Sequence, residues 1–371
     1  GRGEKNEYAS NGNEVSMKTG VNQGVPISYY NLFLSGSPVV VANNTATKAG
    51  DYYAQVLASA NKKGREQTMI RLADQALKLR KTGFAYIMRA YAKNDLGDYQ
   101  GSIEDQNYAL EINPNDAVAY ANRGLARSNM GDPKSALSDF SKSIKIDPGN
   151  AMVFSNRGVS KDRLGDPQGA LDDHNKAIKI DSRYANAYAN RGINKVDSGD
   201  YQGAIADYSK AIELNPQHSN AYYNRGNAKV KSKDYQGAIA DYNKAIEIGP
   251  QKARIYVSRG VVYDNLGDYQ RAIADYNKAI ELDPQYALTY ENRGLAKIKS
   301  GDYQGAIADF NKAIEINPQY ADAYSNRGAA KGMLDDDKGG CADFKKAASL
   351  GSQVADQWLN SADAAWCRNM Q

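Results

Sequence analysis

An arginine recurs every 34 residues in this chain of 371, at Arg89, Arg123, Arg157, Arg191, Arg225, Arg259, Arg293 and Arg327, with no insertion between copies. Spacing held through eight copies means one structural unit repeated, and such an array escapes the limit of about 250 to 300 residues at which a single core stops growing. Three residues before each arginine stands an aromatic: Tyr86, Tyr120, Phe154, Tyr188, Tyr222, Tyr256, Tyr290 and Tyr324. Downstream runs a phrase such as GDYQGAIADYSKAIELNP at 199–216, closing on Pro114, Pro148, Pro216, Pro250, Pro284 or Pro318, with Ser182 once in that place.

Each unit reads as two helices. Ala204, Ile205, Tyr208, Ala211 and Ile212 recur at steps of three and four, which puts them on one helical face. The Gly-Asp between the helices ends the first and caps the second. The residue before each proline is steered away from helical dihedrals, so the second helix stops there. A helix pair this short cannot bury its own apolar face and must stack on its neighbours.

The aromatic at the fourth place of each unit, glycine at the eighth (Gly124, Gly158, Gly192, Gly226, Gly260, Gly294, Gly328), alanine at the twentieth (Ala136, Ala170, Ala204), a ring at the twenty-fourth and proline at the thirty-second resemble the tetratricopeptide repeat. The resemblance runs from 83 to about 350. One feature departs from it: Arg and mostly Lys stand at the seventh and eleventh places, where the family usually has an aliphatic residue and Tyr. The Y-x-N-R-G wording is that of a branch of the family and is similar to its cyanobacterial and other bacterial members. The resemblance implies an all-α, right-handed superhelical solenoid whose first helices line an inner groove, and a protein that binds other proteins. Residues 83–350 are then eight repeats, 47–82 a degenerate helix pair at the start, and 351–371 a C-terminal cap with its helix over 353–367. Atypical ends are what repeat arrays require.

Comparing the copies within this one chain locates the expected groove. A face that packs against the next copy must stay constant, so a varying stripe of the first helix is the free one. At its ninth place that stripe carries Leu125, Val159, Ile193, Asn227, Val261, Leu295 and Ala329, joined at the twelfth by Val196, Val230 and Ile298. Either these pack between adjacent first helices or, as a row, they offer apolar surface to a ligand. Asn122, Asn156, Asn190, Asn224, Asn292 and Asn326 at the sixth place add amides along the same wall. In peptide-binding members of the family an Asn there clamps the ligand backbone, and an amide can satisfy both N–H and C=O. The alternative is that they hold the array together.

Residues 1–46 share nothing with the repeat. The first 23 are rich in Gly, Asn, Ser and Glu, a composition that disfavours a core. Within 24–44, Ile27, Tyr29, Tyr30, Leu32, Phe33, Leu34, Val39, Val40 and Val41 form two β-prone runs around a Ser-Gly-Ser-Pro turn signal. Burying nine such side chains contributes about 18 kcal/mol at about 2 each, and ordering twenty-one residues costs about 20 or more. The segment therefore needs apolar walls from elsewhere. It can fold back on its own solenoid or dock into another copy. The second is the expectation, and such a heterologous contact propagates into a filament unless it closes.

Lys and Arg number 47 against 43 Asp and Glu, with the signs interspersed, so no basic stripe for nucleic acid is expected. No apolar run reaches the length of a membrane span. His174 and His218 stand alone at different repeat places, no phosphate-binding glycine motif occurs, and Asp335-Asp336-Asp337 lacks the spacing of a calcium loop, so neither catalysis, metal nor cofactor is expected. Cys341 and Cys367, 26 apart, are plain thiols in a reducing compartment and a bridge in an oxidising one; the bridge is expected. Asn43 heads a glycosylation sequon in form. The chain begins Gly1-Arg2-Gly3 without an initiator Met, which fits a processed protein or a recombinant start alike and does not decide between them. An exported, extracellular or periplasmic location is the expectation. The function expected is a non-enzymatic scaffold that polymerises through its N-terminal arm; the alternative is a monomeric adaptor or co-chaperone that binds an extended peptide of another protein.

Overall fold

The glycine, aspartate and proline signals fall where backbone groups need partners, and the computed structural model turns each into a helix end. It describes residues 64, 66–250, 252–361 and 364–368. The arm 1–46, its stretch 24–44, Asn43 and residues 47–63 lie outside the described residues. The chain divides into two compact units between residues 198 and 199.

In the first unit the helices are α1 (Glu66–Leu79), α2 (Gly83–Asp95), α3 (Tyr99–Ile112) and α4 (Ala117–Asn129), then α5 (Pro133–Ile146), α6 (Ala151–Arg163), α7 (Pro167–Ile180) and α8 (Ala185–Asp197). Within this unit α2, α4 and α6 each pack on their own second helix, α2, α4, α6 and α8 on the second helix before them, and neighbouring first helices touch: α2 with α4, α4 with α6, α6 with α8. The second unit opens with α9 (Tyr201–Leu214) and continues as α10 (Ser219–Lys231), α11 (Tyr235–Ile248), α12 (Ala253–Asn265) and α13 (Tyr269–Leu282). Then come α14 (Ala287–Lys299), α15 (Tyr303–Ile316), α16 (Ala321–Gly332), α17 (Asp337–Ser349), α18 (Gln353–Asn360) and α19 (Ala365–Arg368). The same antiparallel stacking runs through it.

All eight second helices of the repeats, from α3 to α17, are capped alike. The Asp of Gly-Asp accepts the backbone N–H three residues on at 2.9–3.0 Å, from Asp98 with Gly101 to Asp336 with Gly339. Asp336 thus belongs to a turn, as carboxylates at helix N-termini do. The glycine before the cap holds φ between 78° and 86° at Gly97, Gly131, Gly165, Gly199, Gly267 and Gly301. Lys233 and Asp335 take the left-handed region without glycine, at φ 66° and 61°.

In pairs such as α4–α5, α10–α11 and α14–α15 the core is a ring against a glycine, whereas α2 and α3 carry Ala90 and Gln106 at those places. Phe140, Tyr242 and Phe310 on second helices are buried, flanked by fully buried alanines such as Ala136, Ala238 and Ala306. A Cβ on Gly124 would lie 2.8 Å from the Phe140 ring, and one on Gly226 2.7 Å from Tyr242. The glycine is thus a packing requirement, the only residue that lets the ring approach the first helix so closely.

The C-terminal end differs from the single helix expected over 353–367. The chain leaves α18 at Ser361, which is extended, and turns back into the short α19, where Cys367 is bonded to Cys341 of α17 with their Cα atoms 5.5 Å apart. A helix continued straight from 353 would rise about 1.5 Å per residue and carry Cys367 away from its partner. Trp358 of α18 stacks on Phe344 of α17 at 4.2 Å, and Trp366 meets Trp358 edge-on. The aromatic cluster covers the last repeat where another first helix would otherwise sit.

Candidate interaction surface

The two departures from the repeat wording, Arg at the seventh place and Lys at the eleventh, meet on one acid. Arg123 gives Nε and Nη2 to the two oxygens of Asp139 at 2.9 and 2.8 Å, while its Nη1 reaches Asn107 of the preceding repeat at 2.7 Å. Arg127 adds a second cation to the same carboxylate at 2.7 Å. Arg225 likewise forks onto Asp241 and reaches Ser209, and Lys229 joins Asp241 at 2.9 Å. Each guanidinium also lies over the aromatic three residues before it, as Arg293 does over Tyr290 at 5.6 Å. A bidentate fork on a carboxylate is a strong, orienting contact, and the ring face favours the cation further.

Burial alone would raise the buried carboxyl of Asp173, but hydrogen bonds from Arg157 and Lys161 hold it below the ordinary value. Arg327 is raised, chiefly by its hydrogen bonds to Asp343. Such a clamp ties the two helices of its own pair and, through Nη1, reaches the pair before it. Arg and Asp sixteen residues apart in every copy were the available signal, though their pairing needs the helix hairpin to bring them together.

The varying stripe is only partly free. Leu125 packs against the core cluster that holds Phe140, Val230 against Tyr242, Val261 against Tyr276, and Leu295 and Ile298 against Phe310. Asn227 accepts the Tyr242 hydroxyl at 2.7 Å. Val159 and Val196 are half-buried, whereas Ile193 is 39% exposed and Ala329 is exposed. The sixth-place amides divide too. Asn122 is buried, Asn190 donates to Ser155 of the preceding repeat at 3.0 Å, and Asn326 donates to Glu291 at 3.1 Å. Asn156, Asn224 and Asn292 are half-buried. Part of the row therefore joins consecutive repeats and part faces outward.

Polar contacts also tie neighbouring first helices at the far end of the stripe. Asn194 donates to Asp162 at 2.9 Å, Arg163 to the Ser128 carbonyl at 2.9 Å, and Lys299 pairs with Asp264 at 2.5 Å. Burial, and then the nearby Asp197, raise the Asp162 carboxyl. Burial likewise raises Glu291, which the Tyr320 hydroxyl and Asn326 bind from the next repeat. Among the described residues no three His, Cys, Asp or Glu are grouped to hold a metal. No described helix is long and apolar enough to cross a membrane.

Stacked antiparallel pairs with an outward first-helix stripe offer surface for another chain, and comparison with known proteins agrees. The tetratricopeptide repeat matches residues 85–116, 117–150, 190–253 and 253–286, and a further TPR repeat matches 294–335, together more than half of the chain. A search of curated proteins finds no match. Among solved structures, a tetratricopeptide repeat protein from Parabacteroides merdae has a TM-score of 0.50 and 24% identity, over 66% of this chain and 97% of that one. Cut9, solved with Hcn1 from the APC/C, gives 0.55 and 15% identity over 85% and 67%. PilF of Pseudomonas aeruginosa gives 0.50 and 22% identity over 56% and 94%. At these identities the likenesses speak for the fold alone. With the clamp, the ring-and-glycine core and the matched segments in agreement, this chain belongs to the tetratricopeptide repeat family and is a protein–protein interaction scaffold.

Proposed function

We propose that this scaffold is an exported structural protein that assembles with further copies of itself, residues 24–44 of one copy occupying the first-helix stripe of the next. The observation that carries this reading is a pairing of needs. By composition the nine apolar side chains between Ile27 and Val41 need walls from elsewhere, and the stripe holds out Ile193 at 39% exposure. An extended segment laid along a groove brings main-chain groups within reach of half-buried amides such as Asn224 and Asn292. Because the donated and receiving surfaces differ, the contact repeats from copy to copy.

Export rests on the Cys341–Cys367 bond, since disulfides persist in oxidising compartments and are rare where thioredoxin and glutathione act. Deleting residues 1–46 tests the assembly. The shortened chain is expected to keep its helical circular dichroism and to fall to the mass of one chain by light scattering. An unchanged particle size in the deletion, or a full-length chain that is monomeric at working concentration, overturns the proposal in favour of an adaptor for an extended peptide of another protein.

A further inference from the structure

A ladder of side chains joins neighbouring first helices near their C-terminal ends, each rung made of residues 35 apart. Asn129 donates to Asn94 at 3.3 Å, Arg163 to the Ser128 hydroxyl at 3.3 Å, and Lys299 to Asp264 at 2.5 Å. In each of these a donor meets an acceptor. Asp162 of α6 and Asp197 of α8 occupy the same two places, and there both partners are carboxylates. Their closeness shows in the Asp162 carboxyl, which burial raises first and Asp197 next. Like charges on such a rung repel, so this junction lacks the attraction that the others have.

A second departure from the repeat lies at the same junction. The tenth place of the first helix is a fully buried alanine at Ala92, Ala126, Ala228, Ala296 and Ala330, but in α8 it is Asn194, 8% exposed. Its amide nitrogen donates to Asp162 at 2.9 Å, so the side chain is turned into the junction, and its Oδ1 is buried with no partner. A buried carbonyl oxygen left unpaired costs the desolvation of that group. Asp197 stands three residues further along α8, on the same face. The neighbouring cations do not settle the charge. Lys161 is held on Asp173 at 2.9 Å, Lys195 stands at that same clamp place in its own repeat, and Arg163 turns to the Ser128 carbonyl at 2.9 Å. No cation is among the groups that shift Asp162: burial and Asp197 raise it, and the Asn194 amide lowers it. Asp166 and Asp200, in the turns next along the chain, keep their charge while accepting backbone N–H groups, and they add to the negative potential.

We propose that the junction between α6 and α8 binds a calcium ion, with Asp162 and Asp197 as carboxylate ligands and Oδ1 of Asn194 as an amide ligand. Asp162 holds the Asn194 amide with Oδ1 and has Oδ2 left for the ion. Asp197 is exposed and Asp162 half-buried, so the ion reaches the junction from solvent. Three hard oxygens from two helices, with no thiolate and no imidazole among them, suit an oxygen-seeking cation. Calcium fits better than magnesium, because it accepts irregular ligand sets and completes them with water, where magnesium demands a near-ideal octahedron. One doubly charged ion cancels the repulsion, gives the amide oxygen its partner and closes the rung that the chain's own side chains leave open.

Full-length chain stripped with a chelator is titrated with calcium chloride by isothermal titration calorimetry at neutral pH. One site per chain is expected, with a Kd of about 0.1–1 mM and a higher thermal midpoint in calcium than in chelator. Asp197→Lys writes into this rung the pair that Lys299 makes with Asp264, so the variant is expected to fold, to bind calcium at least about tenfold more weakly and to lose the calcium-dependent rise. Asn194→Ala restores the alanine of the other repeats and is expected to keep its circular dichroism while binding about tenfold more weakly. Absence of a saturable site, or binding by Asp197→Lys equal to that of the parent, overturns the proposal. So does a midpoint that calcium leaves unchanged and Asp197→Asn raises, the behaviour of two carboxyls that only share a proton.

Discussion

The repeat made by α6 and α7 and the one made by α10 and α11 use the same charged clamp around different rings. Arg157 and Lys161 hold Asp173 in one, Arg225 and Lys229 hold Asp241 in the other, with closely similar distances. The ring between the helices is His174 in the first and Tyr242 in the second, each 1% exposed. Tyr242 donates its hydroxyl to Asn227, while Nδ1 of His174 is buried without a partner. The slot accepts rings of different size because the clamp outside it sets the helix spacing. It does not accept charge: burial pushes His174 down to about 4, against its ordinary 6.5, although Asp173 pulls upward.

If the clamps are equivalent, Asp173→Ala and Asp241→Ala each leave two cations facing a half-buried gap and destabilise by about 3 kcal/mol or more. Urea midpoints followed by circular dichroism measure both, and a much smaller loss at Asp173 breaks the equivalence. Acid separates the rings. His174 is depressed in the folded chain, so the unfolded chain binds the extra proton between pH 6.5 and about 4. This group leaves stability untouched above about pH 6.5 and lowers it as pH drops towards 4, the total loss reaching about 3 kcal/mol once both states are protonated. His174→Tyr removes that part of the acid sensitivity, and urea midpoints at pH 7 and pH 4.5 reveal it; a variant as acid-sensitive as the parent contradicts the comparison.

The glycines sharpen it further. A Cβ at Gly226 meets the Tyr242 ring at 2.7 Å, and the hydroxyl bond to Asn227 keeps that ring in place, so Gly226→Ala is expected to cost about 2 kcal/mol. At Gly158 the clash with His174 is equally close, but that ring has an unpartnered nitrogen and freedom to turn, and Gly158→Ala is expected to cost about 1 kcal/mol. The smallest effect lies in the turn. Gly165 precedes the Asp166 cap at φ 82°, where its counterpart Lys233 holds φ 66° with a side chain attached. Lys233→Gly should raise stability by about 0.5 kcal/mol, read as a higher thermal midpoint.

Most of the fold was legible because its signals are local. The Gly-Asp turn, the aspartate cap and the proline stop each act within four residues, and the ring, glycine and alanine places follow from helical periodicity repeated eight times. The site was less legible. Variation among copies singled out Ile193, which is 39% exposed, but also Leu125, Val230, Val261, Leu295 and Ile298, which pack against the core. Different apolar side chains fill similar gaps, so variation alone does not measure exposure. The chain-wide charge balance likewise hides that α5 and α7 carry Lys145 and Lys179 where α9, α11, α13 and α15 carry glutamate.

From its own residues the chain determined the period, the two helices of each unit and where each begins and ends, since these depend on hydrogen bonds and side-chain rows close in sequence. Only the tertiary structure decided that Arg at the seventh place serves two helix pairs at once, that Asn227 serves Tyr242 before any ligand, and that Cys367 folds back to Cys341. Such partners lie 15 to 26 residues apart, and no spacing rule brings them together until the helices have packed.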